Sequence, residues 1–337
     1  MRAVVIHEHG GPENLVFEAN YPEPTAGPGE VIVQVKACSL NYHDIFTRRG
    51  MPGIKLPLPV IPGLDLAGEI AEIGAGVEGW SVGERVLVDP RIREGGKGGL
   101  QGETIDGGLA EYAKTNAHQL VKLPDGVSFA QAASLPVAYG TSHRMMFANG
   151  NVKAGETCLI LGASGGVGTG ALLLAKKAGM EVIAAGSSEK KLARLKEIGA
   201  DHVIDYTKEE FHKKIYEMYG KPHRRGYEGG VDVVVNFTGG DTYVPSLRSL
   251  KRGGRLLTCG ATAGYDPKTD LRFIWTFELK ILGSNSWEPE DLTAMLDDIQ
   301  AGVWAPVIDR EFKLEDAAEA LALIENREVI GKVIVAP

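Results

Sequence analysis

The sequence contains little cysteine, with 3 residues in a chain of 337. Cys38, Cys158 and Cys259 lie far apart and form no C-x-x-C pair. That count excludes a disulfide framework and a four-cysteine zinc site. The chain also lacks any run of about 18 apolar residues, which predicts that no segment spans a membrane. The opening stretch MRAVVIHEHGGPENLVFEA has no apolar segment followed by a cleavage site, so we expect no signal peptide.

An excess of positive charge is missing as well. The formal net charge is −8 and the pI is about 5.6. Nucleic acids and anionic membrane surfaces both require a basic footprint, so neither is expected as a partner. The composition therefore favours a cytoplasmic protein in a reducing compartment, with a small molecule as its partner.

Glycine is abundant, with 44 residues gathered in short clusters. Through the first 120 residues they separate short apolar segments such as EVIVQVKAC and GERVLVDP, a pattern typical of a barrel-like β domain. From Ser128, a plausible helix cap, helical and strand-like segments alternate. This alternation predicts βαβ units and a parallel sheet, in which the nearly all-apolar VDVVVN is a strand buried on both faces.

One glycine cluster lies directly between a predicted strand and a predicted helix, in LILGASGGVGTGALLLAKKAG. Such a turn lets a pyrophosphate approach the backbone, and the helix N-terminus that follows offers free N–H groups. The context of strand, turn and helix predicts a dinucleotide site. The residues expected at the phosphates are Ala163, Gly165, Gly166, Val167 and Gly168.

The end of the next strand bears on the choice of nucleotide. An NAD site usually places an acid there to bind the ribose 2′-hydroxyl, whereas this chain continues EVIAAGSSEKK. Ser187 and Lys190 could bond a 2′-phosphate, which favours NADPH. Ser187 could also simply cap the following helix and Lys190 could be solvated. Glu189 argues against NADPH, because its carboxylate is close in sequence to the residues that would bond the 2′-phosphate.

Together the motifs GPGEVIVQVKA, SLNYHDIFTRRG, PGLDLAGEI, GASGGVG and GGRLLTCGA resemble the medium-chain dehydrogenase/reductase superfamily, in its zinc-free quinone oxidoreductase and enoyl reductase branch. The resemblance runs from end to end. It implies an α/β protein with a GroES-like β-rich catalytic domain and a Rossmann domain with a doubly wound parallel sheet. We place the catalytic domain at residues 1–124 and 271–337 and the NADP-binding domain at residues 125–270.

The same resemblance bears on the Cys-His-Asp cluster in residues 37–53. Zinc alcohol dehydrogenases of the superfamily take three catalytic ligands from segments that correspond to positions Asn41, Leu64 and Val137 of this chain. An amide and two alkyl side chains cannot form a tetrahedral zinc site, so we expect no metal. Residues 91–108, where relatives carry four structural-zinc cysteines, contain none.

Without a Lewis acid, the resemblance implies hydride transfer from NADPH to a conjugated carbon–carbon double bond of a quinone or another α,β-unsaturated carbonyl. Asn41 is expected to position the substrate or the nicotinamide ribose. Tyr42 is expected to donate a hydrogen bond or a proton, or else to line the site with its hydroxyl in water. His43 is either structural or a proton relay, and Asp44 and Arg48 are expected to form a structural pair.

Further expectations come from the resemblance alone. It implies cofactor contacts at a set of positions that follow the strands or begin the Rossmann domain: Thr141, Tyr206, Thr238, Gly260 and Ala261. Tyr139 and Trp287 either shape the substrate pocket or pack in the core. The last Rossmann strand in LKILGSNSW would pair across a twofold axis, which predicts a homodimer, with a tetramer possible. Two alternatives stay open: an alcohol or aldehyde dehydrogenase, with zinc by family analogy only, and a non-catalytic cofactor-binding protein like some crystallins.

Overall fold

The computed structural model describes residues 1–50, 56–93 and 98–337, so part of the glycine-rich stretch 91–108 lies outside the described residues. The strands in these ranges are β1 (Ala3–Val5), β2 (Val16–Glu18), β3 (Glu30–Ser39), β4 (Asp65–Ile73), β5 (Arg85–Val88), β6 (Arg91–Ile92), β7 (Gly99–Leu100), β8 (Tyr112–Asn116), β9 (Leu120–Lys122), β10 (Thr157–Ile160), β11 (Glu181–Gly186), β12 (His202–Asp205), β13 (Val231–Val235), β14 (Leu250–Thr258), β15 (Lys280–Gly283), β16 (Ile308–Lys313) and β17 (Lys332–Ala336).

The α-helices of the same ranges are α1 (Tyr42–Arg49), α2 (Phe129–Ala133), α3 (Thr141–His143), α4 (Gly166–Lys177), α5 (Glu189–Ile198), α6 (Phe211–Tyr219), α7 (Tyr243–Ser249), α8 (Leu271–Thr276), α9 (Pro289–Gln300) and α10 (Ala317–Glu325). Wider π-type turns, Leu135–Gly140 and Arg144–Asn149, flank the short α3. In the described part of the chain, no helix is long and apolar enough to cross a membrane.

The chain divides into two compact units, and the boundaries differ from the predicted ones. Unit 1 comprises Met1–Ala138 and Pro289–Pro337, and unit 2 is Tyr139–Glu288. The predicted division at residues 124/125 and 270/271 lies before both of these boundaries in the chain. The first shift arises because α2 packs on β3 and β4 of unit 1. The second arises because β15 is hydrogen-bonded to β14 of unit 2.

Unit 1 is built on a mostly antiparallel sheet, as the short segments with glycine turns predict. Its strand order is β16-β17-β3-β4-β5-β9, and β8 also pairs with β3. On the long β3, Val31, Val33 and Val35 alternate toward a continuous apolar core, which Cys38 enters beyond a shift in register. Ser128 caps α2 as predicted, because its side chain accepts a hydrogen bond from the Gln131 N–H at 3.1 Å.

Unit 2 contains a six-stranded parallel sheet with the order β12-β11-β10-β13-β14-β15. This is the order of a doubly wound dinucleotide-binding fold, so the predicted fold class is confirmed. The strand predicted in VDVVVN is β13, with Val233, Val234 and Val235 fully buried between apolar clusters on its two faces. The crossovers place the carboxyl ends of all six strands along one edge of the sheet.

All three cysteines are free thiols, one in unit 1 and two in unit 2. Burial raises the pKa of Cys38 and of Cys158 well above the ordinary thiol value. It raises the pKa of Cys259 to about 12. Cys38 and Cys158 are buried and Cys259 is half-buried, and the raised pKa values favour the protonated, less reactive form of all three thiols.

Candidate active site in two parts

The strand ends of unit 1 bring three polar side chains together. Asn41 follows the end of β3, Asp65 begins β4 and Lys332 begins β17. The register explains why they meet, since Ser39 pairs with Asp65 on one side and with Ile334 on the other. Side chains that are distant in sequence thus share one end of the sheet.

Hydrogen bonds join these three residues into one buried cluster, which we call the Asn41 cluster (Asn41, Asp65 and Lys332). The Asn41 Nδ2 donates to Asp65 Oδ2 at 2.8 Å and to the Ser39 carbonyl at 3.3 Å. The Lys332 Nζ donates to Asn41 Oδ1 at 2.5 Å and to the Leu40 carbonyl at 2.9 Å. It also lies 3.5 Å from Asp65 Oδ2. The amide of Asn41 is therefore held from both sides.

Burial sets the electrostatics of the cluster. Asp65 is completely buried and Lys332 is 2% exposed. Loss of hydration raises the pKa of Asp65 to about 6, although Lys332 and Asn41 oppose the rise. Loss of hydration also lowers the pKa of Lys332, against the attraction of the nearby carboxylates. Each charge thus depends on the other for its compensation.

The two alkyl positions lie beside this cluster. The backbone N–H of Val137 donates to Asp65 Oδ1 at 3.1 Å, so Asp65 orients both Asn41 and the segment that carries Val137. Leu64, directly before Asp65, is 1% exposed. The three positions that correspond to metal ligands in zinc relatives are therefore occupied by one fully bonded amide and two apolar side chains.

Helix α1 begins directly after Asn41 and carries the other predicted residues. Tyr42 is half-buried and its ring meets Phe46 edge-on, with centroids 5.2 Å apart. The expected pairing of Asp44 with Arg48 is wrong. Asp44 accepts from the backbone N–H groups of Asn41 and Gly63, which fixes the start of the helix. Arg48 instead binds the Glu325 carboxylate, which lies on α10 of the same unit.

In unit 2 the glycine turn has the geometry expected of a phosphate cradle. Gly162 has a φ of +65°, which glycine adopts without strain, and Gly165 precedes the first turn of α4. A Cβ on Gly168 would lie 2.4 Å from the Gly162 carbonyl oxygen, so close packing of helix and strand requires glycine there. Ala163 is buried beneath the turn, and the Ser142 hydroxyl binds the Val167 carbonyl at 3.0 Å. The residues present fit a dinucleotide pyrophosphate.

At the neighbouring strand ends, the structure brings Ser187 and Tyr206 to the same edge. The Tyr206 N–H donates to the Gly186 carbonyl at 3.2 Å, and the Tyr206 side chain is exposed. Ser188 caps α5, so the alternative role of Ser187 as the cap is wrong. The exposed Glu189 forms an ion pair with Lys208 at 3.2 Å, and Lys190 is exposed on the first turn of α5.

The loop after β13 is fixed by a residue that the sequence analysis missed. Asn236 follows β13 and is buried. Its Oδ1 accepts from the N–H groups of Thr238 and Gly239 at 2.9 and 3.0 Å. The loop with Gly260 and Ala261 follows β14, and the Ala263 N–H beyond it binds the Thr238 carbonyl at 2.7 Å. The sequence did contain a signal for this role, because Asn236 is a polar residue at the end of the nearly all-apolar segment VDVVVN.

Three further predicted residues are buried within unit 2. Thr141, 9% exposed, begins α3. The hydroxyl of the fully buried Tyr139 lies 3.3 Å from the Thr169 hydroxyl on α4. A Cβ on Gly140 would lie 2.9 Å from the Trp287 ring, which packs there. For Tyr139 and Trp287 these are packing contacts, the alternative left open by the sequence, and a pocket role stays a prediction.

Comparison with known proteins gives a consistent result. Residues 27–125 match the family model described as alcohol dehydrogenase GroES-like domain, and residues 166–301 match the one described as zinc-binding dehydrogenase. The quinone oxidoreductase of Homo sapiens is 30% identical, over 99% of this chain and 97% of that protein. The acryloyl-coenzyme A reductase of Sulfurisphaera tokodaii is 33% identical over the full length of both.

The chain belongs to the medium-chain dehydrogenase/reductase superfamily, in its quinone oxidoreductase branch. A crystal structure of an NAD-dependent alcohol dehydrogenase superposes with a TM-score of 0.92, at 34% identity and with full coverage of both chains. The GroES-like and Rossmann folds expected from the sequence are thereby confirmed.

The name of one matching superfamily model raises the question of a zinc ion. The donors do not fit that metal: Leu64 and Val137 offer alkyl groups, and both polar ends of the Asn41 amide are engaged by Asp65 and Lys332. Within residues 1–50, 56–93 and 98–337, no group of three His, Cys, Asp or Glu side chains is placed to hold a metal ion. The side chains at positions 41, 64 and 137 therefore do not support a metal-dependent step.

Proposed function

We propose that this protein is an NADPH-dependent, zinc-independent reductase of quinones or other α,β-unsaturated carbonyl compounds. The observation that carries the proposal is the Asn41 cluster. A lysine ammonium and a bonded amide occupy the place from which a zinc relative would polarise its substrate. Activation of an alcohol for hydride loss requires such a Lewis acid, whereas reduction of a conjugated double bond requires positioning and hydrogen-bond donors.

In the proposed reaction, bound NADPH supplies the hydride to the β-carbon. The chain must orient the carbonyl and stabilise the negative charge that develops on its oxygen. Asn41 is held rigidly by Asp65 and Lys332, which suits a positioning residue. Tyr42 follows it on the first turn of α1 and offers a phenolic hydroxyl. Removal of one well-placed donor to such an oxyanion typically costs about 2.7–4 kcal/mol of activation free energy.

The choice of NADPH over NADH is supported by the end of β11. The strand ends at Gly186 and is followed by Ser187 and Ser188, so no acid stands where an NAD site binds the ribose 2′-hydroxyl. Tyr206 is at the same edge and Lys190 lies on the first turn of α5. Together with Ser187 they offer a ring, an ammonium and a hydroxyl for a 2′-phosphate. The nearby Glu189 is drawn to Lys208.

The substrate class is supported by the relatives. By their names, one relative acts on quinones and another reduces acryloyl-coenzyme A, and the chain is similar to both along its whole length. Both substrates carry a double bond conjugated to a carbonyl group. The alcohol dehydrogenase of the superposed structure favours the second candidate, alcohol or aldehyde oxidoreduction. The residues at positions 41, 64 and 137 argue against that candidate.

The experiment is oxidation of NADPH and NADH with 1,4-benzoquinone, an enone, an enal and crotonyl-coenzyme A, each with and without a chelator. Chelator-insensitive turnover that prefers NADPH supports the proposal and ranks the substrates. Activity only with an aldehyde, or activity lost with chelator, would favour the alcohol dehydrogenase. Cofactor binding without turnover of any substrate would favour the crystallin-like alternative.

The proposed assembly is a homodimer, with a tetramer possible. Strand β15 is the edge of the six-stranded sheet, and its Ile281 is exposed. Leu271 and Trp275 on α8, just before this strand, are also exposed. An exposed apolar edge strand is a site for pairing with a second chain. The cytoplasmic location stays a prediction.

A further inference from the structure

The glycine-rich segment that the sequence left without a role is docked on the segment before β4. We call residues 98–108 the docked loop. The N–H groups of Gly107, Gly108 and Leu109 donate to the carbonyls of residues 61, 63 and 62 at 2.7, 2.8 and 3.0 Å. A Cβ on Gly102 would lie 2.7 Å from the carbonyl carbon of Gly63. The loop therefore lies backbone to backbone against the chain that leads into Asp65.

The docked loop places the Glu103 carboxylate against helix α1, whereas its Asp106 accepts a hydrogen bond from the Ile61 N–H at 2.9 Å. Glu103 is 8% exposed and accepts a short hydrogen bond from Nε2 of His43, on the first turn of α1. The two residues are 60 positions apart in sequence. In the described part of the chain, Nδ1 of His43 makes no hydrogen bond, and about a quarter of this side chain is exposed (27%). The ring thus has one nitrogen held by the loop and the other available.

The surroundings of His43 favour its protonated form. Burial alone would lower the pKa of His43, but the hydrogen bond and charge of Glu103, with the charges of Asp44 and Asp65, outweigh burial and raise it. Asp44 lies on the same helix, Glu103 on the docked loop and Asp65 on β4. The Lys332 ammonium faces this group of carboxylates from β17 and partly compensates them.

We propose that His43, oriented by Glu103 of the docked loop, is the proton donor in the reduction of the conjugated carbonyl. This inference rests on the proposed function. A hydride from the reduced nicotinamide forms the C–H bond at the β-carbon, and the π electrons move toward the α-carbon and the carbonyl oxygen. The Nδ1–H bond of the imidazolium then breaks as the C–H bond at the α-carbon forms. The neutral ring regains its proton from water.

The first test needs neither cofactor nor substrate. The pKa of His43 is measured by NMR titration of protein labelled with ¹³C in histidine, with His43→Gln to assign its signal. Glu103→Gln is expected to lower the pKa of His43, because the hydrogen bond and the charge that raise it most are removed. The control Glu18→Gln breaks the exposed pair with His7, 2.6 Å apart, and is expected to leave His43 unchanged. An unchanged His43 pKa in Glu103→Gln would overturn the inference.

The second test follows enone reduction by NADPH in D₂O across a pH series. In the unsubstituted protein, kcat should fall as pH rises through the pKa of His43, and deuterium should enter one face of the α-carbon. In His43→Gln, kcat should fall by about 100-fold or more, with loss of this pH limb and of the facial selectivity. In Glu103→Gln the limb should move to lower pH, a shift that a merely structural role would not produce.

The outcomes separate this inference from the proposed function. If the unsubstituted protein reduces the enone but folded His43→Gln keeps the limb and the selectivity, the inference fails and the proposed function stands. If Tyr42→Phe, and not His43→Gln, removes both, Tyr42 is the donor and the inference is overturned. If no conjugated carbonyl is reduced at all, both fail together. Thermal unfolding shows which variants are folded.

Discussion

Replacement of Lys332 by methionine tests whether the Asn41 cluster is a coupled network of charges. Methionine nearly keeps the length of the side chain but removes the ammonium that binds Leu40, Asn41 and Asp65. Removal of one partner from a buried ion pair leaves an uncompensated charge and costs about 3–5 kcal/mol. We expect the free energy of unfolding to fall by that amount at pH 8.

The loss of unfolding free energy caused by Lys332→Met should depend on pH. The pKa of Asp65 in the folded chain is about 6, above its value of about 3.9 in an unfolded chain, so folding favours the protonated acid. Stability from this group is therefore present at low pH and is lost as pH rises through 6. Without Lys332 the pKa of Asp65 rises further, and the variant loses more than the original protein above pH 6. The deficit should shrink by about 1 kcal/mol or more between pH 8 and pH 5.5.

The assay is urea unfolding of the complete chain at both pH values, with hydrogen exchange of β3 and β4 to report the sheet that holds the cluster. Lys176→Met is the matched control, because its ion pair with Asp201, 2.7 Å apart, is half-exposed and should contribute under about 1 kcal/mol. The double variant with Asp65→Asn should recover part of the deficit. A cost for Lys332→Met no larger than that of the control, at both pH values, would refute the coupled network.

Three other predictions concern the loop, the cofactor edge and the sheet edge. Gly102→Ala should lower the free energy of unfolding by about 1–3 kcal/mol in thermal scans, because its Cβ would meet the Gly63 carbonyl. The control Gly76→Ala has a similar φ but open space around the Cβ, so it should lower the free energy of unfolding less. Ser187→Asp should repel a 2′-phosphate and so reduce the preference for NADPH over NADH at least tenfold, measured as the ratio of the two kcat/KM values. An unchanged ratio would contradict the placement of that phosphate. Ile281→Asp should shift the protein toward monomers in analytical ultracentrifugation, with Val303→Asp, an exposed site on unit 1, as the control.

The sequence predicted the fold through signals that are local in the chain. Alternation of strand and helix patterns indicated the parallel sheet, and the glycines after β10 indicated the turn before α4. The predicted domain boundaries differ from those of the compact units because periodicity identifies a strand but does not say which sheet it joins. β15 follows the short helix α8, and its pairing with β14 assigns it to unit 2.

Only part of the candidate site was predicted, because local patterns do not show which distant residues meet. Comparison of positions identified Asn41 as the replacement for a metal ligand, but its partner Lys332 lies 291 residues away and was not foreseen. Glu103 was also missed, since its contact with His43 depends on how the docked loop folds back. Polar residues that meet across a barrel leave no periodic signal in the sequence, and only the register of β3 with its neighbours brings them together.

Two buried, protonated thiols, one in each unit, make the chain a reporter of its own opening. Cys38 is in unit 1 and Cys158 is in unit 2, whereas the third thiol, Cys259 of unit 2, is only half-buried. Because only the thiolate reacts, an alkylating reagent at neutral pH should modify Cys38 and Cys158 chiefly when their surrounding structure opens. Pulse labelling followed by peptide mass spectrometry would then give separate opening rates for the two units without any added probe. Equal rates at Cys38 and Cys158 would show that both units unfold in a single cooperative event.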